Sequence, residues 1–267
     1  MTALNIVVCI KPVPDPQHWT KITLDPETKT LKRKGIPTII NPLDKHALEE
    51  GLRLKEEHGG HVTVLSMAPP TVMNNLREAI ALGADEAILL SDPQFAGADT
   101  LATSHVLAAG IKRLGKFDLV LCGDQSLDGS TGQVGPEVSE FLGVPHVTRG
   151  RKITVIDGKL VRVESTTEHG HVLMEVRTPV VLTVVKEINT PRHVHLARIS
   201  EAMRKEIKTW TMKDLRVDQD LVGLSGSPTQ VVNIFMPEMK RRGEILEGEP
   251  KIIAKLLVEK LLQQGVI

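Results

Sequence analysis

The chain has 267 residues, enough for one large or two small domains around a sizeable core. Lys plus Arg number 33, as do Asp plus Glu, and aromatics make up 2% with no Tyr, so neither a net field nor a stacking platform favours nucleic acid or an anionic membrane. Cys9 and Cys122 each end an apolar run and read as small buried strand residues rather than a disulfide framework; with no basic leader and no bilayer-length apolar stretch, the expected location is the cytoplasm, without membrane insertion.

Leu4–Ile10 is a nearly continuous apolar run, as for a strand buried on both faces of a parallel sheet. The prolines of KPVPDPQ then forbid helix and predict an extended loop. Lys21 to Ile40 alternates weakly around turn signals, which predicts a hairpin. Asn41-Pro42-Leu43-Asp44 opens a helix, with Asp44 as its expected N-cap and Gly59-Gly60 as its stop. A strand at His61–Met67, a helix from about Thr71 to Leu82 and a strand at Ala87–Leu90 follow. Asp99 or Thr100 caps the next helix, which carries Leu101, Val106, Leu107 and Ile111, and Asp118–Cys122 returns to the sheet. This rhythm predicts an α/β fold, a doubly wound and mostly parallel sheet whose ligands lie beyond the strand C-termini. The loops after Ile10, Met67, Leu90 and Cys122 are therefore expected to line one site.

The stretch Asp118–Pro136, reading DLVLCGDQSLDGSTGQVGP, carries the most chemistry. It is a strand, a loop rich in hydrogen-bonding groups and the start of a helix with Val134, Val138, Phe141 and Leu142. N–H groups at a helix N-terminus lack intrahelical partners and attract an anion, most often a phosphate. Gly129 and Gly132 let backbone approach a ligand, and Ser130 and Thr131 add donors. An ordinary capped turn fits the same residues.

From His146 to Lys186, the segments HVTR, KITVID, KLVRVEST, HVLMEVRT and VVLTVVK alternate apolar with polar residues, with a hairpin signal at Asp157-Gly158. They are expected as antiparallel additions at an edge of the same sheet. Glu187–Ser200 reads as a long exposed connection. Lys251–Leu262 is amphipathic, with Ile252, Ile253, Leu256, Leu257 and Leu261 on one face that needs a surface to bury it. There is no G-x-x-x-x-G-K-[ST], no G-x-G-x-x-G after the first strand and no G-x-S-x-G. The pairs His58/His61, His169/His171 and His193/His195 lack a third ligand of fitting spacing, so no metal is expected. The residues name a binding site more clearly than a catalytic group.

The segments VVCIKPVPD (Val7–Asp15), NPLDKHALEEGLRLKE (Asn41–Glu56), GADTLATS (Gly97–Ser104) and CGDQSLDGSTGQVGPEVSEFLG (Cys122–Gly143) together resemble the β subunit of electron transfer flavoproteins. The likeness runs from about residue 4 to 262. It implies a three-layer sandwich of the adenine-nucleotide hydrolase type over residues 1–230, with antiparallel edge strands, and an arm at 231–267 that packs on an α subunit. It also implies an adenine-nucleotide site at Cys9, Asn41, Pro42, Leu43, Asp44, Met67 and the loop from Gly123 to Val134. Within that loop the candidate contacts are Gly123, Gln125, Asp128, Gly129, Ser130, Thr131, Gly132, Gln133 and Val134. Ser130 and Thr131 would hold phosphates with nearby N–H groups, and Asp128 would cap the loop or bind ribose. Cys9 and Met67 would take the adenine, and Leu43 matches a position that faces the α-subunit flavin. Some relatives carry a Tyr in the loop after the first strand; this chain has none, so that aromatic contact is missing. Residues 189–198 (NTPRHVHLAR) resemble the family's recognition loop, and Leu196 matches the leucine that docks into acyl-CoA or other flavin dehydrogenases.

Ordinary members of that family hold AMP in this site, whereas electron-bifurcating members hold a second FAD that takes hydride from NADH. SDPQFAGADTLATS and GSPTQV (Gly226–Val231) resemble the bifurcating type. There Gly97, Asp99, Thr100 and Thr103 would receive the diphosphate and ribityl chain, with Thr103 one helical turn after Thr100. FAD is therefore the expected cofactor, AMP the alternative, and NADH the electron donor. Electrons would pass to the α-subunit FAD and to a low-potential acceptor such as a ferredoxin or iron–sulfur partner. The chain would be catalytic only within its αβ complex. Rival readings are a non-redox adenine-nucleotide sensor and an adenylate-forming enzyme; the latter needs a glycine-rich loop where KPVPDPQ stands.

Overall fold

The computed structural model describes residues 3–21, 23–24, 31–32, 35–231 and 243–267. Strand β1 (Leu4–Cys9), an almost wholly buried apolar run, leads into β2 (Pro12–Pro14) and a 3-10 turn at Pro16–Lys21. Strands β3 (Thr23–Leu24) and β4 (Leu31–Lys32) pair with each other, and β5 (Thr38–Ile40) pairs antiparallel with β2. Helix α1 (Pro42–His58) begins on a proline, whose fixed φ suits the first helical position, and ends at Gly59 with φ +77°. The alternation continues through β6 (Gly60–Met67), α2 (Met73–Leu82), β7 (Glu86–Leu90), α3 (Thr100–Leu114), β8 (Leu119–Gly123) and α4 (Val134–Leu142). Next come β9 (His146–Val155), β10 (Leu160–Thr167), β11 (Gly170–Arg177), β12 (Val180–Val184), α5 (Leu196–Arg204), β13 (Lys208–Trp210) and α6 (Met212–Leu215).

The main sheet runs β11-β10-β9-β12-β8-β1-β6-β7-β13, parallel everywhere except at β9–β10 and β10–β11. Strand alternation sorts the core onto two faces. Ile6 and Val8 pack with Leu48, Leu52 and Leu76 from α1 and α2. Val7, Cys9 and Leu65 pack on the other face with Val106, Ile111 and Val138 from α3 and α4. The predicted α/β sheet with helices on both faces is thus present.

The segment VVLTV departs from expectation. Strand β12 is not an antiparallel edge; it lies between β9 and β8, parallel to both, with every residue buried. Its near-continuous apolar composition is that of a strand covered on both faces. HVTR and KITV form one strand, β9, and Asp157 accepts N–H bonds from Lys159 and Leu160 in the β9–β10 turn. Part of KPVPDPQ is strand β2 rather than loop, and the turn DPETKT of the 21–40 hairpin lies outside the described residues. Asp44 is not the cap of α1: Pro42 starts the helix, so Asn41 occupies the cap position and Asp44 is buried in the first turn.

Residues 233–267 form a separate unit, in which α7 (Pro250–Gln263) has no buried residue and Lys260 pairs with Glu244 at 2.7 Å. The start of the expected arm, at 232–242, lies outside the described residues. Among the described residues, no helix is long and apolar enough to cross a membrane.

Candidate functional site

The parallel strands end along one edge of the sheet, where such folds open a crevice. Cys9, Met67 and Cys122 stand at this edge on the face shared with α3 and α4. Three segments distant in sequence are tied together there. Asp44, 5% exposed, accepts from the N–H of Lys11 at 2.7 Å and of Gly123 at 3.0 Å. Asn41 donates from Nδ2 to the Gln125 carbonyl at 3.0 Å and accepts from the Leu127 N–H at 3.0 Å. Its side chain therefore does not cap α1, which leaves the first-turn N–H groups of that helix open. Leu43 packs so close to β8 that a Cβ on Gly123 would stand 2.6 Å from its own Cβ. Pro42 beside it is exposed.

The loop after β8 is shaped by local bonds. Ser130 takes φ +51° and its N–H donates to the Ser126 carbonyl at 2.8 Å; Gly132 takes φ +65°. Asp124 accepts from the Thr183 hydroxyl at 2.8 Å, and a Cβ on Gly135 would meet Thr183 Cγ2 at 2.3 Å, so α4 starts hard against β12. Gln133 occupies the cap position of α4 without a side-chain capping bond, so its first-turn N–H groups also stay open. Gln125, Gly129, Ser130, Thr131 and Gln133 are exposed, while Asp128, Gly132 and Val134 are half-buried. Lys11 reaches into this loop, donating to Asp128 at 2.6 Å and to the Ser126 hydroxyl at 3.2 Å.

Beside this loop, Asp99 caps α3 by accepting from the Ala102 N–H at 3.0 Å. Its second oxygen accepts from the Thr229 N–H at 3.0 Å, and its own N–H donates to Ser227 Oγ at 2.8 Å. GADT and GSPTQV, adjacent only in space, thus form one knot. Gly97, φ +78°, lies where a Cβ would touch Leu224 at 3.4 Å. The Thr100 hydroxyl donates to Glu137 at 3.0 Å and lies 3.4 Å from Gln133 Oε1, which joins the α3 start to the α4 start. Thr103 is half-buried in the first turn of α3.

Burial dominates the electrostatics. It pushes the Asp44 carboxyl up to about 6 against the opposing pull of its hydrogen bonds. Burial, helped by the nearby Asp44 charge, pushes the Cys9 thiol up to about 12, and burial raises Cys122 as well, so both remain thiols. Asp99 feels an upward pull from partial burial, but the N–H groups of Ala102, Thr229 and Leu101 outweigh it and hold the carboxyl below its usual range. Among the described residues no cluster of His, Cys, Asp or Glu is placed to hold a metal.

Residues 189–198 are bolted to the flank of α1. Asn189 donates to the His46 carbonyl at 3.0 Å and to Glu50 at 3.1 Å, and Arg192 bridges Glu49 at 2.8 Å and Glu56 at 2.6 Å. Glu56 and Glu49 together raise the Arg192 guanidinium further. Leu196 is the first residue of α5 rather than part of an irregular loop, and it is 85% exposed.

A family model, the electron transfer flavoprotein domain, matches residues 28–215. Over 264 residues the chain is 50% identical to the electron transfer flavoprotein subunit beta of Clostridium acetobutylicum, covering 99% of this chain and 100% of that protein. This chain belongs to the electron transfer flavoprotein β-subunit family. Two further relatives in the family have 99% of this chain and 100% of their own length aligned. The CarD subunit of the caffeyl-CoA reductase-Etf complex of Acetobacterium woodii is 43% identical over 266 residues. The acryloyl-CoA reductase electron transfer subunit gamma of Anaerotignum propionicum is 40% identical over 271. In this β-subunit chain, sequence reasoning missed Lys11 and Thr183. A lysine directly after a strand reads as a solvated charge, and Thr183 reads as one polar residue in an apolar run. The position of Lys11 at the end of the first parallel strand was the available signal for a place in the crevice.

Proposed function

We propose that this chain is the β subunit of an electron-bifurcating flavoprotein and holds FAD in the crevice beyond β1, β6, β7 and β8. The observation that carries the reading is the contact of Thr100 with Glu137 and Gln133. It joins the loop 123–134 and the α3 start into one wall, with hydrogen-bonding groups in both segments. A mononucleotide needs only the first. The residues fit such a group: open helix N-termini at α1 and α4, hydroxyls at Ser130 and Thr131, and close backbone at Gly97. When bound, FAD supplies hydride acceptance from NADH and one-electron transfer to the α-subunit flavin and a low-potential acceptor such as a ferredoxin.

The protein residues bind and orient. Cys9, Met67 and Cys122 give an apolar, un-ionised floor for the adenine, and the loop 123–134 holds phosphates through N–H groups and hydroxyls. Asp99 and the 226–231 segment fix the α3 start, where Thr103 on the first turn would receive the ribityl chain. No side chain has to donate or accept a proton. The exposed apolar residues Ile252, Leu256 and Leu257 of α7 support an α subunit as obligate partner, and exposed Leu196 supports docking to a flavin dehydrogenase. Two relatives belong by name to a caffeyl-CoA reductase-Etf complex and an acryloyl-CoA reductase, which supports that assignment. Anaerobic mixing of the co-expressed αβ complex with NADH is the test: its flavin absorbance bleaches. A yellow complex that NADH leaves unbleached refutes the bifurcating reading and favours AMP, and a colourless protein favours the nucleotide sensor.

A further inference from the structure

Lys11 has separate attachments for its backbone and its side chain. Its N–H donates to Asp44 at 2.7 Å and its carbonyl accepts from the Asn41 N–H at 2.9 Å, which fixes the Cα against the start of α1. The ammonium instead crosses to the loop after β8, 2.6 Å from Asp128 and 3.2 Å from Ser126 Oγ. It lies 3.9 Å from where a side chain on Gly129 would begin, beneath the turn that carries Ser130 and Thr131. The Lys11 side chain is 47% exposed and that of Asp128 only 12%, so the lysine head can change partner without moving the backbone.

The surroundings make that exchange matter. Asp44, Asp99, Asp124, Asp128 and Glu137 all line or support the crevice. A phosphate arriving there adds negative charge to an acidic neighbourhood. Backbone N–H groups and the hydroxyls of Ser130 and Thr131 can hydrogen-bond it, but they bring no net charge. Lys11 brings one, and a charged donor makes a stronger bond than a neutral one.

We propose that Lys11 is a phosphate-binding residue which Asp128 holds in place: a nucleotide phosphate takes over the ammonium, and the site thereby ranks adenine ligands by phosphate charge. This rests on the adenine-nucleotide reading of the crevice and is independent of whether FAD or AMP resides there. The test is binding of adenosine, AMP and ADP to the co-expressed αβ complex after its resident nucleotide is exchanged out. Lys11→Met should weaken AMP and ADP by about 10- to 100-fold, as for loss of one charged hydrogen bond, and leave adenosine within twofold. Lys11→Arg should retain most of the AMP affinity. Asp128→Asn should strengthen AMP severalfold relative to adenosine. Equal weakening of adenosine and AMP in Lys11→Met, or no change in either, overturns the proposal and leaves the nucleotide site standing. Failure of the wild-type complex to bind any of the three overturns the nucleotide reading itself.

Discussion

Replacing Asp44 by Asn tests how the crevice is held together. The carboxylate is buried and accepts two backbone N–H groups, from Lys11 and Gly123. Asn keeps the volume but offers one acceptor oxygen, so one buried donor faces an amide N–H₂ and loses its bond, at a cost of about 1–3 kcal/mol. Against this, the substitution removes a buried charge. The Asp44 carboxyl rises from 3.8 to about 6 on folding, worth roughly 3 kcal/mol in favour of the protonated form. A raised folded-state pKa contributes stability that is complete below 3.8 and is lost as pH climbs through about 6. The amide of the variant does not titrate. The cost of Asp44→Asn should therefore be largest in acid and shrink by about 2 kcal/mol between pH 4.5 and pH 8. Urea unfolding of the wild-type and variant complexes at both pH values reads this as a double difference, in which shared contributions cancel. A cost that is the same at both pH values would refute the reasoning.

Gly123→Ala should be severe, because the new Cβ would stand 2.5 Å from Asp44 Oδ1 and 2.6 Å from Leu43 Cβ; thermal melting should report a loss of about 2–4 kcal/mol, with nucleotide released, from overpacking plus a broken charged bond. Gly129→Ala meets the movable Ser126 Oγ at 3.2 Å and the Lys11 ammonium at 3.9 Å, both ends of side chains that can shift, and should stay within about 1 kcal/mol of wild type. Arg192→Ala leaves buried Glu49 without its counter-charge and should cost roughly 2–4 kcal/mol, with faster amide exchange over residues 189–204 while exchange in β1 and β8 is unchanged. Cys9 and Cys122, kept as buried thiols, should resist iodoacetamide in the folded complex at pH 8, and mass spectrometry should show full labelling only after denaturation.

The layers of the fold are legible wherever a local run carries its own burial signal. LNIVVC, polar only at Asn5, and the wholly apolar LVLCG read as doubly covered strands, and they are the central β1 and β8. VVLTV carries the same signal but follows alternating strands, and proximity in sequence suggested the wrong partner; only the β12–β8 and β12–β9 ladders reveal it as an interior strand. The crevice is half legible. Gly-rich and hydroxyl-rich segments announce a ligand site, and the structure brings GADT to GSPTQV through Asp99. Asp44 is different. In NPLD it looks like a local cap, and its true partners, Lys11 and Gly123, lie 33 and 79 residues away. Bonds of that kind have no periodicity, so no reading of the chain one window at a time finds them.

The proposed place of FAD in this β subunit is the crevice walled by loop 123–134 and the start of α3. Acid release of the cofactors from the purified αβ complex, followed by separation and counting, tests it directly. Two FAD and no AMP per heterodimer are expected; one FAD with one AMP would contradict a flavin in this crevice.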